Sequence, residues 1–277
     1  DSTGTLVIGD GGASSETGYI KGLAGSGSVV LNGASGAPDT LSIIGAGTTF
    51  SGIISGTYGN VVLASGSQTF SGNNTYSGTT TVGSAATLSL GTLGQIANSL
   101  TAGLTLTEPG TLALTSATTN TLSTTVSGSG TIALVSGASL AITSAASVSN
   151  VHFTAPAGAS LDVTGLASAT KSIGGLTGSG AVLVGSNTLI ISDVPATGSY
   201  ASLPIFSGGI YSTGTSATSG GLTVNASTTP TAGQIAGQAF SATTLTFTGA
   251  TTIGNGATLG LFGGASIAAS SGVTVNA

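Results

Sequence analysis

The chain has 277 residues, of which 3% are charged, 4% are aromatic and 48 are glycine. It carries a net charge of -5 and no cysteine, which excludes a disulfide framework and a thiolate metal site. Its two positive side chains, Lys21 and Lys171, are too few to neutralise the phosphates of a nucleic acid. Its apolar residues are interrupted every few positions by Gly, Ser, Thr or Asn, whereas a membrane-spanning helix needs ~18 consecutive apolar residues. We therefore expect neither a nucleic acid partner nor membrane insertion by this segment.

Short β-strands are predicted along the whole chain, because large apolar residues recur two positions apart and so share one face of a strand. In chain order these pairs lie at 6–8, 41–43, 88–90, 112–114, 140–142, 161–163, 222–224, 245–247 and 259–261. A second set of segments begins with a glycine turn and continues into a strand, at 23–31, 54–63, 126–134 and 176–184. Helix signals are almost absent, since glycine and β-branched residues occur throughout.

Many short strands can form a sandwich, a barrel or a solenoid. The repetition of similar units favours the solenoid, in which each coil buries its apolar positions against the next coil. The sequence therefore predicts an all-β protein, a single parallel β-helix (β-solenoid) over residues 1–277. With ~20 residues per coil it would have roughly a dozen coils. Leu, Ile and Val would stack inside, and Thr and Ser would face water.

Residues 69–91, TFSGNNTYSGTTTVGSAATLSLG, carry a more specific signal. This stretch resembles the passenger-associated repeat of bacterial autotransporters, and the resemblance is best over residues 41–91, where TFSGIISG at 49–56 is similar to the segment that usually precedes the repeat. The positions that match the repeat are Gly72, Asn74, Thr75, Tyr76, Gly78, Thr80, Thr81, Val82, Thr87, Leu88, Leu90 and Gly91.

The resemblance implies a right-handed β-helical passenger domain, exported through the outer membrane to the extracellular surface of a bacterium, and it suggests a fragment of a longer passenger. Within the repeat we predict that Val82, Leu88 and Leu90 point inward. We expect Tyr76 at a corner and the threonines outside, in ladders.

Residues with catalytic or metal-binding chemistry are few. His152 is the one histidine and could act as a base with a serine and either Asp162 or Asp193, but the acids are scattered and a surface histidine is the simpler interpretation. Asp10 and Glu16 flank a glycine-rich segment without the spacing of a calcium repeat, so a solvated loop is expected there. The sequence thus predicts no catalytic residue, no metal ligand, no cofactor and no enzyme activity.

One region interrupts the repeat. Residues 192–221 contain Tyr200, Phe206 and Tyr211 in a chain that is poor in aromatic residues. This pattern suggests a protruding loop or hairpin whose aromatic side chains contact a partner. The alternative is that these side chains pack over the side of the β-helix.

Three functions are compatible with these features. The first is an adhesive or structural stalk on the cell surface that associates with itself or binds a host or cell-surface receptor, since a low charge removes repulsion between copies. The second is a filament in which copies stack head to tail by continued strand pairing. The third is ice binding by a threonine ladder, suggested by the runs TTT at 79–81 and LTLT at 104–107. We favour the stalk.

Overall fold

The computed structural model describes residues 4–45, 47–166, 169–192, 198–212, 220–227, 229–241, 243 and 245–276. Strands account for 45% of the residues and helices for 5%, and parallel sheets stack into a β-solenoid of about 12 turns. The prediction of an all-β parallel β-helix with roughly a dozen coils is confirmed. Its right-handed sense stays a prediction.

The strands are two to six residues long, as the dispersed apolar pairs predict. They are β1 Thr5–Ile8, β2 Thr17–Ile20, β3 Ser28–Leu31, β4 Asp39–Ile43, β5 Thr48–Phe50, β6 Ile53–Ser55, β7 Gly59–Leu63, β8 Gly66–Phe70, β9 Thr80–Val82, β10 Ala86–Leu90, β11 Leu104–Leu106, β12 Thr111–Leu114, β13 Thr119–Leu122, β14 Val126–Ser127, β15 Thr131–Leu134, β16 Ser139–Ile142, β17 His152–Ala155, β18 Ser160–Asp162, β19 Thr170–Ile173, β20 Leu176–Gly178, β21 Ala181–Leu183, β22 Thr188–Ile191, β23 Ile205–Phe206, β24 Gly209–Tyr211, β25 Gly221–Val224, β26 Ala236–Ser241, β27 Thr251–Ile253, β28 Ala257–Phe262 and β29 Val273–Val275. The described residues also form an α-helix, α1 Ala97–Ala102, and two 3₁₀ helices, Leu93–Ile96 and Tyr200–Ser202.

The chain divides into two compact units, so the prediction of one β-helix across residues 1–277 stays a prediction. The first unit comprises residues 1–116 and 124–133. Its parallel strands form the rows β1-β3-β6, β2-β4-β7-β9-β11-β14 and β5-β8-β10-β12-β15, although the last residue of β15 belongs to the second unit. In the second of these rows Ile43, Leu63, Val82 and Leu106 lie in register in four successive coils, and each is at most 1% exposed. Such columns form the core.

The second unit comprises residues 117–123 and 134–277. Its rows of parallel strands are β13-β16-β18-β21-β24, β19-β22-β25-β27-β29 and β17-β20-β23-β26-β28. In the first of these rows Leu140, Leu161, Val182 and Ile210 form a fully buried column. Stacking identical faces in this way satisfies the backbone hydrogen bonds between coils without charged side chains.

Two predicted core residues are exceptions. Leu6 in β1 and Leu261 in β28 occupy inward-facing columns, yet each is 39% exposed. The reason is that β1 and β28 each have a strand partner on one side only within the described residues. Leu245 and Phe247 are fully buried, as predicted, although the backbone there is not a strand.

Candidate functional site

The passenger-like repeat forms a buried polar network. Tyr76 lies in the turn between β8 and β9, and its side chain is fully buried. Its hydroxyl oxygen is 2.6 Å from Thr80 Oγ1, which in turn is 2.5 Å from Ser99 Oγ in α1. Thr80 is therefore inside the solenoid, which corrects the expectation that the threonines of this repeat all face water. The cause is the tyrosine hydroxyl, which needs a buried partner.

Other residues of the repeat are also structural. Val82, Leu88 and Leu90 are at most 1% exposed, which confirms that they point inward. Asn74 is buried, and its Oδ1 accepts a hydrogen bond of 2.9 Å from the backbone N–H of Ile54 in the preceding coil. The residues that define the resemblance thus position one coil on the next.

Burial raises the pKa of Tyr76 from 10.0 to about 12, although hydrogen bonds with Thr80 and Ser99 act in the opposite direction. Between pH 10 and 12 the unfolded chain loses this proton before the folded chain does, so the free energy of unfolding should fall by up to about 1.4 kcal/mol per pH unit. We expect Tyr76→Phe to remove this contribution, measured by urea unfolding at pH 9 to about 12.

Thr80→Val is the matched control, because it removes the neighbouring hydroxyl but keeps the phenol, and it should retain the slope. Equal slopes for the wild type and Tyr76→Phe would contradict the prediction.

Two buried glutamines make a second polar feature, which we call the glutamine bridges. Gln68 in β8 is 1% exposed, and its Oε1 accepts hydrogen bonds from the backbone N–H of Leu23 at 3.0 Å and the hydroxyl of Thr48 at 2.9 Å. Its Nε2 donates to the backbone oxygens of Leu23, Thr48 and Thr69 at 2.9–3.1 Å. Thr48 lies in register in the neighbouring strand β5, and Leu23 lies one coil further away. One side chain therefore joins three coils.

Gln238 in β26 repeats this arrangement in the second unit. It is fully buried, its Oε1 accepts a hydrogen bond of 3.1 Å from the N–H of Leu176, and its Nε2 donates to the oxygens of Leu176, Pro204 and Ala239 at 2.8–3.0 Å. Pro204 takes the place that Thr48 has in the first bridge, since its backbone oxygen likewise accepts a hydrogen bond from the glutamine Nε2. The carboxamide supplies an acceptor for the N–H of Leu176 and a donor for its C=O.

Sequence reasoning missed both glutamines, although a signal for them exists. Each stands two residues before a buried phenylalanine, in QTF at 68–70 and QAF at 238–240. Strand periodicity then places the glutamine on the inward face beside the phenylalanine. A polar residue on the inward face of a strand must find hydrogen-bond partners inside the fold.

The residues considered for catalysis do not share a strand row. His152 begins β17 and Asp162 ends β18, and these strands belong to different rows. Asp162 Oδ1 accepts a hydrogen bond of 2.8 Å from the backbone N–H of Thr164, so it fixes the following turn. Asp193 lies outside the described residues.

Asp10 and Glu16 lie in an exposed loop, as expected. Asp10 Oδ1 accepts a hydrogen bond of 2.7 Å from the N–H of Gly12, and the N–H of Glu16 donates to Asp39 Oδ1 at 2.8 Å. In the part of the chain that the structure describes, no three His, Asp or Glu side chains are grouped so that they could hold a metal ion.

The three aromatic residues predicted as partner contacts differ in position. Tyr200 on the second 3₁₀ helix is 59% exposed, and Tyr211 at the end of β24 is 39% exposed. Phe206 is fully buried and packs edge to face on Phe240, with ring centroids 6.3 Å apart. Phe206 is therefore a core residue and not a partner contact, which corrects that prediction.

The protruding loop predicted at 192–221 is also corrected in part. Within it, β23 and β24 pair with neighbouring parallel strands and Ile210 fills the core, so residues 205–211 belong to a coil. Residues 193–197 and 213–219 of that prediction lie outside the described residues.

The outward columns of the solenoid consist mainly of small, uncharged side chains. In the row β2-β4-β7-β9-β11 the aligned outward-pointing residues are Tyr19, Ser42, Val62, Thr81 and Thr105, of which Tyr19 is exposed and Ser42 is buried. Val62 interrupts the threonine ladder on which the ice-binding hypothesis depends. A face of uncharged side chains can approach an identical face on another copy without electrostatic repulsion.

Within the described residues, the helices are too short and polar to cross a membrane. No known protein family, curated protein or solved structure matches the chain.

Proposed function

We propose that the chain is a structural or adhesive stalk of a bacterial autotransporter passenger, which acts at the extracellular cell surface without catalysis. It works by self-association or by presenting a binding surface to a host or cell-surface receptor. The observation that carries the proposal is the solenoid with outward columns of small, uncharged residues. Its passenger-like repeat, in which the side chain of Asn74 and the backbone N–H of Tyr76 bond to Ile54 in the preceding coil, supports the same conclusion.

The test is display of the chain on a bacterium that does not aggregate by itself, followed by measurement of cell settling. The wild type should cause clumping. Lysines at two adjacent positions of one outward column, Thr81→Lys with Thr105→Lys, should reduce clumping because the faces of neighbouring copies then repel each other.

The matched variant is Thr81→Glu with Thr105→Glu. Cells that all carry this variant should also clump less than cells with the wild type. Mixing cells that carry the lysine pair with cells that carry the glutamate pair should restore clumping, since the two faces then attract each other. A wild-type chain that neither clumps cells nor attaches them to host cells would contradict the proposed function.

A second candidate is a filament formed head to tail. It is favoured by the exposed apolar side chains on β1 and β28, which have unpaired strand edges among the described residues. Electron microscopy of the purified chain would show particles joined end to end. Discrete particles that lengthen neither with time nor with concentration would contradict the filament.

A further inference from the structure

A shallow groove crosses the second unit where the chain enters β18, β21 and β24. Three successive coils carry only small residues there, at 158–160, 179–181 and 207–209. The first residues of the three strands, Ser160, Ala181 and Gly209, are in register. Because none of these nine residues has a large side chain, a groove of about 390 Å³ remains, within the size range of ligand sites.

The ring of Tyr211 lies in this groove. A β-carbon built on Gly209 would clash with the hydroxyl oxygen and the Cζ of Tyr211. The ring therefore occupies the place where a side chain at position 209 would stand, and it lies across strand β24. Glycine at 209 is needed for this position of the ring, while 39% of Tyr211 stays exposed to a ligand.

The polar groups of the groove are neutral. Ser179 and Ser207 are exposed, and Ser160 is half-buried. Ser207 donates a hydrogen bond of 3.3 Å to the oxygen of Gly178, and Ser160 donates one of 2.9 Å to Ser139 Oγ. Each hydroxyl oxygen retains lone pairs that can accept further hydrogen bonds. Among the described residues no charged side chain lines the groove.

This combination selects a class of ligand. An anionic ligand would need a cation, and an apolar peptide would need a lining of large apolar side chains. Serine hydroxyl groups beside one exposed aromatic ring suit a molecule that has many hydroxyl groups and one apolar face. Neighbouring coils lie about 4.8 Å apart, so the three coils extend over about 10 Å, which favours a short oligomer over a single small molecule.

We propose that this groove binds a neutral oligosaccharide. The apolar C–H face of one sugar packs on the ring of Tyr211, and its hydroxyl groups exchange hydrogen bonds with Ser179 and Ser207. This assigns a partner class to the binding surface, and its biological role rests on the adhesive function proposed above.

Binding should be measured by calorimetry on the purified chain with cellohexaose, maltohexaose, chitohexaose and hexagalacturonate as probes. We expect at least one of the three neutral probes to bind and hexagalacturonate not to bind. Tyr211→Ala should lower the affinity for the neutral probe roughly tenfold or more, because it removes the aromatic contact with the sugar.

The matched control is Tyr200→Ala, which removes an exposed tyrosine that does not line the groove and should leave the affinity unchanged. Gly209→Ala gives a second readout, since it keeps the tyrosine but displaces its ring and should weaken binding in a chain with a wild-type circular dichroism spectrum. The proposal is overturned if no neutral probe binds the wild type, if Tyr211→Ala binds as tightly as the wild type, or if hexagalacturonate binds best.

Surface display of the wild-type chain, compared with sugar binding by the same purified chain, separates this inference from the proposed function. Cells that still clump while the purified chain binds no sugar would overturn the groove assignment alone. Sugar binding by a wild-type chain that neither clumps nor attaches cells would overturn the stalk function alone.

Discussion

Replacing Gln238 by leucine should lower the free energy of unfolding of the second unit by about 3 kcal/mol, because each buried polar group left without a partner costs about 1–3 kcal/mol. The variant leaves the N–H and C=O of Leu176 and the C=O of Pro204 without the carboxamide that now bonds them. Leucine has a similar size, so the loss should come from hydrogen bonds and not from a cavity.

Native-state hydrogen exchange at the amide of Leu176 gives a local readout of this loss. An opening free energy lower by about 3 kcal/mol corresponds to roughly 100-fold faster exchange. The matched control is Gln234→Leu, at an exposed glutamine whose Oε1 accepts hydrogen bonds from Thr231, and it should leave Leu176 unchanged. Equal protection of Leu176 in the two variants would show that the bridge does not stabilise the second unit.

Gln68→Leu is the corresponding change in the first unit, and it should expose the amide of Leu23 to exchange in the same way.

Replacing Phe206 by alanine should also be strongly destabilising, by about 3–5 kcal/mol, because it empties a fully buried site and removes the ring contact with Phe240. Urea unfolding followed by circular dichroism measures the effect as a lower midpoint. The same experiment distinguishes a core residue from a surface contact, since a surface substitution usually changes stability by less than about 0.5 kcal/mol.

Tyr200→Ala is the control for this prediction, since Tyr200 is 59% exposed in the same region of the chain. Its unfolding midpoint should match that of the wild type. A Phe206→Ala variant with an unchanged midpoint would return Phe206 to the set of candidate partner contacts.

The fold could be predicted because its signal is local. The alternation of large and small residues, as at Leu140 and Ile142, places both side chains on one face, and both are buried. The outward position of Tyr211 follows from the same rule, because Ile210 before it points inward. Strand periodicity needs no knowledge of neighbouring coils.

The glutamine bridges and the position of Phe206 could not be predicted with the same ease, because they depend on register between coils. Leu176 and Gln238 are 62 residues apart, and the loops between them vary in length. Nothing local to Gln238 shows that the backbone of Leu176 lies within reach of its carboxamide. Likewise, the burial of Phe206 follows from its alignment with Phe240 in the next coil. The groove at Tyr211 depends on the same kind of alignment.

A repeating fold is most easily misassembled by an error in the pairing of its coils. Because every coil offers nearly the same hydrogen-bonding edge, a coil that pairs with the wrong coil while its apolar face stays inward would lose little energy from backbone bonds or apolar contacts. Gln68 and Gln238 make these alternative pairings unequal in energy. The carboxamide of each bonds to the backbone of one residue two coils away, and in a wrong pairing it would be left buried and unpaired. Two uncharged side chains thereby make the correct alignment of the coils energetically distinct from its shifted alternatives.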